Sequence, residues 1–528
     1  MNLPPREHHN AGIASNRSAL PLKTTTRITT ARLRRLACGV LGAASLAFTI
    51  DTASAQNGTN ATAAYNGYLS AYLVTTHVNG YTYPLPYIAQ SITNRNRLFM
   101  WAQAYVITGL EDHYDRLHAA SDLTLINSIL TSFLAQDKTD LTWDSWNDDL
   151  EWACIALAHG YQQTGNTAFL NAAASNWNAV WNRGWSSDLG GGIWENQNKG
   201  SKCVLSNAPF IIAGCMLYRI TGDSTYITKC QQSYAWMRSN CFNTSTGQVI
   251  EGISSSGAKL TSNNSYNHGI FLQAANALYK VTTTAQYFND AQLTVNWVVN
   301  NHSVMTEDHP NNGPFGSEEF FRGLSLFAAQ NNLWTTYQPW LEANCTAAWN
   351  NRRTDYNITW NKYNTATPTT DLEAMETISS VIVQAVTQIS PVAGPHFIRS
   401  YASGLAVDNT MSTAQGDGVE QWGWNAGDQQ LWNFTQNSDS SWTIESFYSG
   451  YVLDDPNSST ANGTQIVQWP SNGGSNQKWV VTQQSNGAYV IKNQASGKVL
   501  DNDNKTGNGS PLVQWGANGG TNQLWYLK

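Results

Sequence analysis

The chain has 528 residues, enough for two or three domains. Only 12% of them are charged, against a usual share of about 25%. With 22 Trp, 23 Tyr and a net charge of −7, the composition argues against intrinsic disorder and against charge-driven binding of nucleic acid. Neutral polar side chains beside many aromatic faces suit a hydroxyl-rich ligand such as a sugar. They suit the surface of a secreted protein equally well.

Residues 1–55 read as an export leader. Arg32, Arg34 and Arg35 precede an apolar run from Leu36 to Ile50, too short to span a bilayer well but suited to a signal-peptide core. Ala53-Ser54-Ala55 supplies a small-x-small cleavage site, so the mature chain is expected to begin at Gln56 and to be secreted. The leader carries seven basic and two acidic residues, so its removal takes the net charge from −7 to −12. That balance disfavours anionic polymers. No later apolar stretch is long enough for a membrane, and the expected state is a monomer. Cys154, Cys203, Cys215, Cys230, Cys241 and Cys345 remain, an even number that permits up to three disulfides in any of fifteen pairings.

Residues 56–390 carry a helical repeat. Tyr105-Val-Ile-Thr108-Gly109, Tyr161-Gln-Gln-Thr164-Gly165 and Tyr218-Arg-Ile-Thr221-Gly222 each end an apolar-periodic stretch, and Tyr279-Lys-Val-Thr282-Thr283 is a weaker fourth copy. Each unit reads helix, tight turn, helix, with the Gly as a left-handed cap and Asn166 or Asp223 capping the next helix. About twelve helices fit, which favours a closed (α/α)6 barrel over an open solenoid. A stiff linker, 391–395, follows. Residues 396–528 then repeat three times: Gln421-Trp422, Gln468-Trp469 and Gln514-Trp515, followed by Gln430-Leu-Trp432, Gln477-Lys-Trp479 and Gln523-Leu-Trp525. Short alternating runs between Gly, Asn and Ser turns, repeated threefold, predict an all-β β-trefoil.

The chemistry concentrates in Trp143-Asp144-Ser145-Trp146-Asn147-Asp148-Asp149-Leu150-Glu151-Trp152, four carboxylates among three tryptophans at a loop-to-helix junction. Glycoside hydrolysis needs two carboxyls flanking one bond, about 5–5.5 Å apart in retaining enzymes. Crowding pushes the pKa values of such a pair apart, and a helix N-terminus favours the ionised partner. Plain helix capping accounts for two adjacent Asp equally well at this level. The ten His show no metal-ligand spacing, no Gly-rich phosphate cradle follows a strand, and no GxSxG marks a serine nucleophile. No cofactor and no metal are expected. Glu195, Glu307, Asp308, Glu318 and Glu319 read as solvated faces, with Arg322 placed to pair with one of them.

The run Trp146-Asn-Asp148-Asp149-Leu-Glu-Trp152 resembles glycoside hydrolase family 76, together with Gly190-Gly191-Gly192-Ile193-Trp194, Lys202-Cys-Val-Leu-Ser206-Asn207-Ala208-Pro209 and Ser265-Tyr266-Asn267-His268-Gly269. That resemblance covers roughly residues 60–388. It implies an endo-α-1,6-mannanase or a related cell-wall mannan transglycosylase, with α-mannan as partner. Asp148 is then the nucleophile and Asp149 the acid/base. Trp146, Trp194, Asn207, Glu251, Tyr266 and Asn267 become candidates to hold the sugar. The chain departs from the family pattern at Glu251, where an Asp is usual, and at His268, where a Gln is common. A non-catalytic mannan-binding protein is the alternative from another class, and the intact Asp pair argues against it.

Residues 396–528 resemble the ricin B-chain type lectins, carbohydrate-binding module family 13. The resemblance implies that Trp432, Trp479 and Trp525 fill the core. It implies sugar contacts from Asp454, Trp469 and Asn476 in the second repeat and from Asp501, Trp515 and Asn522 in the third. The first repeat keeps Asp408 and Trp422 but has Gln429 in place of Asn, which puts its pocket in doubt.

Overall fold

Apolar and small residues on nearly every face of a segment call for a helix buried on all sides, and a single apolar stripe calls for one packed on its outside. Both types occur in alternation in the computed structural model. It describes residues 50–528 apart from 79, 118, 307–315, 332, 388–391, 393, 426, 438, 440, 485–487 and 528. The expected leader thus lies outside the described residues as far as Thr49, as do Pro391 and Ala393 of the linker and the acids Glu307 and Asp308.

Twelve helices are present among the described residues: α1 (Ile50–Tyr72), α2 (Met100–Leu117), α3 (Ala120–Asp137), α4 (Asn147–Thr164), α5 (Thr167–Gly184), α6 (Ala208–Thr221), α7 (Thr225–Cys241), α8 (Ser265–Thr282), α9 (Ala285–Asn301), α10 (Glu318–Gln330), α11 (Trp334–Asn350) and α12 (Ala374–Val386). The even-numbered helices pack in sequence from α2 to α12, and α12 packs back on α2, closing a ring of six. The odd-numbered helices lie outside it. α5 shows why, burying only Phe169, Ala172, Ala173, Asn176, Trp177, Val180 and Gly184. α12, by contrast, is buried along almost its whole length. The chain is an (α/α)6 barrel.

Gly165 and Gly222 take left-handed φ values of 70° and 74° and cap α4 and α6, donating to the Tyr161 and Tyr218 carbonyls. Thr283 does the same for α8 at φ 58°, despite its side chain. The first copy departs from this pattern. α2 runs straight through Gly109 to Leu117, because Gly109 faces Ile378 and Ile382 of α12 so closely that a Cβ would sit 2.7 Å from Ile378. That glycine serves helix contact and not a turn.

The six cysteines, which permitted three bridges, are free and buried. Their thiols lie in the barrel core, where Cys154 approaches the Ala173 carbonyl at 3.4 Å and Cys345 the Gln384 side chain at 3.2 Å. No helix among the described residues is long and apolar enough to cross a membrane.

From Gly394 the chain is all β, and its threefold repeat is structural. Trp432, Trp479 and Trp525 are fully buried in one core, and their indole N–H groups donate to the Val407, Leu453 and Leu500 carbonyls at 3.0, 3.0 and 3.1 Å. Those carbonyls belong to short strands whose partners carry Gln421, Gln468 and Gln514. Side chains of Ser403, Ser449 and Ser496 donate to these glutamines in turn. The domain is a β-trefoil.

Candidate active site

The N-termini of the inner helices converge on one mouth of the barrel, so residues opening α4, α6, α8 and α10 are neighbours in space. Asn147, Asp148 and Asp149 form the first turn of α4, and both aspartates are 1% exposed. Neither caps the helix. The cap is Trp146, whose own amide donates to Asp144. The two carboxyls are therefore released from the bland capping role and held where the helix dipole favours negative charge.

Asn147 fixes that turn. Its amide donates to the Glu195 carbonyl at 2.8 Å and its side chain to the Trp194 carbonyl at 2.6 Å, while Arg183 donates to its Oδ1 at 2.7 Å. Arg183 also binds the carbonyls of Thr142, Asp144 and Trp146, so one guanidinium ties the whole approach to α4. Nothing in the sequence distinguishes Asn147 from the other polar residues of the motif. Its full burial beside the acid pair is what identifies it as the anchor.

A three-stranded antiparallel sheet, Ser201–Cys203, Gly252–Ser254 and Lys259–Leu260, borders the same mouth just before α6 and α8. It presents Glu251, held by backbone bonds to Ser262 and Val204. Burial, and then the neighbouring Glu195 carboxylate, raise the Glu251 carboxyl above its ordinary range. Glu195 accepts from the Ser201 hydroxyl, and its amide donates to the Ser201 carbonyl at 2.9 Å, so it is half-buried at this sheet's border.

The other departure, His268, is a scaffold residue. Nε2 accepts from the Val249 amide at 3.0 Å, Nδ1 lies 2.8 Å from the Asn264 carbonyl, and the ring stacks on Trp297. Burial lowers its pKa to about 4, so it is neutral and holds the strand that leads to Glu251.

The sugar-holding candidates separate. Asn207 faces the protein: its Oδ1 accepts from Ile193 and Ser233, and its Nδ2 donates to Cys203 and Ile193, so its bonding capacity is spent inside the protein. Trp194 is 4% exposed, with its indole N–H on Ser186 and its ring face under Lys202, so it packs as part of the wall. Asn267 opens α8 with its Nδ2 buried and unpartnered among the described residues, and Tyr266 lies beside it, buried. Trp146 is partly exposed at the head of α4.

Glu318 and Glu319 correct the expectation of solvated faces, for both are fully buried. Glu318 accepts from the Tyr105 hydroxyl at 2.8 Å, and burial pushes its carboxyl up to about 7. Glu319 pairs with Arg322, which also binds Asp112, and accepts from Gln273. No group of His, Cys, Asp and Glu among the described residues is arranged to hold a metal ion.

In the trefoil, Asp454 accepts from Asn476 at 3.0 Å and from Gln477 at 2.8 Å. Asp501 accepts from Asn522 at 2.8 Å and from Gln523 at 2.9 Å. Asp408 receives Gln430 in the same way, but Gln429 turns away and donates to Asn425. The first lobe thus lacks the second side-chain donor that its sister lobes have. Trp469 and Trp515 are half-buried, and Trp422 is exposed.

A helical toroid with two consecutive buried aspartates at its mouth, followed by a lectin-like trefoil, defines a glycoside hydrolase with an appended module. Residues 59–392 match the model for Glycosyl hydrolase family 76, and the chain belongs to that family. Residues 389–469 and 475–528 match the ricin-type beta-trefoil lectin domain-like model.

Among solved structures, the barrel is similar to an inactive variant of an alpha-1,6-mannanase from Salegentibacter sp. HEL1_6, in complex with alpha-1,6-mannotriose and with two consecutive aspartates replaced by asparagine. The match has 22% identity and a TM-score of 0.56, over 63% of this chain and 99% of that one. It is also similar to a family 76 alpha-mannanase from Bacteroides thetaiotaomicron, at 16% identity and a TM-score of 0.52 over 63% and 95%. A Listeria innocua protein matches at 20% identity and a TM-score of 0.54 over 63% and 96%. No curated protein matches the chain.

Proposed function

We propose that the protein is a secreted, retaining endo-α-1,6-mannanase whose trefoil holds it on polysaccharide. The observation that carries this reading is the buried Asp148–Asp149 pair in the first turn of an inner helix of a family 76 barrel. The replacement of two consecutive aspartates in the inactive alpha-1,6-mannanase supports it. So does the complex of that protein with alpha-1,6-mannotriose.

In this mechanism the Asp148 carboxylate attacks the anomeric carbon as the glycosidic bond breaks, and Asp149 passes its proton to the departing oxygen. The mannosyl-enzyme ester is then hydrolysed by a water that Asp149, now ionised, deprotonates. Glu251 and Asn267 are the groups placed to bind hydroxyls at the mouth. The trefoil raises local substrate concentration through its second and third lobes. Export rests on the leader, residues 1–55. Purified protein incubated with linear α-1,6-mannan tests the activity: oligomannosides from wild type, and none from Asp148→Asn or Asp149→Asn, are expected. Larger products on adding an acceptor glycan would instead mark a transglycosylase.

A further inference from the structure

Of the two carboxyls of the acid motif that this mechanism leaves unused, Asp144 accepts from the Trp146 amide and Glu151 has no such bond. It sits three residues after Asp148, and residues so spaced on a helix lie one above the other. It is fully buried, and neither carboxyl oxygen has a hydrogen-bond partner among the described residues. An ionised carboxylate in that position would be an uncompensated buried charge, which proteins do not tolerate cheaply.

Among the described residues no cation pairs with Glu151. The charge of Arg183 on α5 acts on it, but the hydrogen bonds of that guanidinium go to Asn147 and to the Thr142, Asp144 and Trp146 carbonyls. From α6 Glu151 faces the Phe210 amide, one of the N–H groups a helix start leaves without an intrahelical partner. On α4 itself the charges facing it are Asp148 and Asp149, with the Cys154 thiol one turn below. The nearest α2 groups are engaged elsewhere: Tyr105 packs on Trp152, and Glu111 meets His159 two turns further along α4.

We propose that Glu151 is a neutral positioning residue whose O–H is directed at the Asp148 carboxylate and whose carbonyl oxygen faces the Phe210 N–H. Of the stacked carboxyls, the lower one then keeps its proton, and the upper one is held ionised and aimed. The proposal rests on the reading of Asp148 as nucleophile. One of its tests is independent of activity.

Difference infrared spectra of the full-length protein at neutral pH, wild type minus Glu151→Gln, report the protonation state directly. The expected result is the loss of a protonated-carboxyl band, and that band shifts in Asp148→Asn. Loss of a carboxylate band instead, or a band unmoved in Asp148→Asn, overturns the proposal. If wild type cleaves no α-1,6-mannan, the mannanase reading fails while the infrared result stands.

Kinetics on mannan give the second test. Glu151→Gln keeps an N–H donor, so the acid limb of kcat/KM stays in place while kcat falls several-fold. Glu151→Leu removes the donor, and the acid limb moves up by about one pH unit. A downward shift of that limb in Glu151→Gln would mean a negative charge had been removed, and would contradict a neutral Glu151.

Discussion

The Lys202 ammonium lies 4.6 Å from the centre of the Trp194 ring and donates to the Ser186 carbonyl and hydroxyl, the Asp188 carbonyl and the Gly191 carbonyl. One buried charge therefore pins the Gly-rich turn and the tryptophan wall beside the acid pair. Lys202→Met strands three carbonyls and is expected to cost about 3 kcal/mol, read as a lower urea midpoint at unchanged slope. Lys202→Arg does not restore it, because a planar fork cannot replace a compact ammonium among converging carbonyls. A Lys202→Met protein as stable as wild type would show that the turn holds itself.

The trefoil carries its own internal control. Asn409 and Asn502 donate to Ser446 and Ser400, but the second repeat has Asp455 at this position, buried and with neither carboxylate oxygen partnered among the described residues. Burial, and then Asp454, push its carboxyl up to about 6. A carboxyl raised in the folded state costs stability progressively as pH rises from about 4 to 6. Asp455→Asn is therefore expected to stabilise the domain by about 1–3 kcal/mol at pH 8 and hardly at all at pH 4. Calorimetric melts at the two pH values measure this.

Polysaccharide retention should follow the lobes that keep an Asn–Asp pair. Asn476→Ala combined with Asn522→Ala is expected to weaken sedimentation with insoluble glycan by tenfold or more, while Gln429→Ala changes it little. Equal losses from all three changes would place binding elsewhere on the domain.

The barrel contains groups that hold protons the unfolded chain releases. Burial pushes Glu111 and Glu318 up to about 7. Burial alone would lower His159, but Asp115 and Glu111 outweigh it and hold it well above its ordinary value. The folded state binds more protons than the unfolded one above about pH 4.5 for the two carboxyls and above about pH 6.5 for His159, so stability falls as pH rises toward 7 and beyond. Glu318→Gln removes one such group and should make the loss of Tm between pH 5 and pH 8 visibly shallower.

Much of this was readable from residue patterns because repetition displays it. The trefoil tryptophans recur with fixed partners, and left-handed caps follow from Gly165 and Gly222 at the ends of apolar stretches. What was not readable depends on contacts distant in sequence. Gly109 looks like the other caps until α12 is seen against it. Glu318 and Glu319 look solvated until Tyr105, Arg322 and Gln273 surround them. Asn207 looks like a sugar ligand until its hydrogen bonds to Ile193, Ser233 and Cys203 are seen. Local chemistry nominates polar residues, and packing decides whether they face a ligand or the protein.

The proposed cleavage of α-1,6-mannan by Asp148 and Asp149 runs through a covalent intermediate. Proton NMR of linear α-1,6-mannan during the first minutes of digestion follows its stereochemistry. New reducing ends are expected first as the α anomer, mutarotating later, with no signal from Asp148→Asn. Initial release of the β anomer, or undiminished cleavage by Asp148→Asn, would contradict this mechanism.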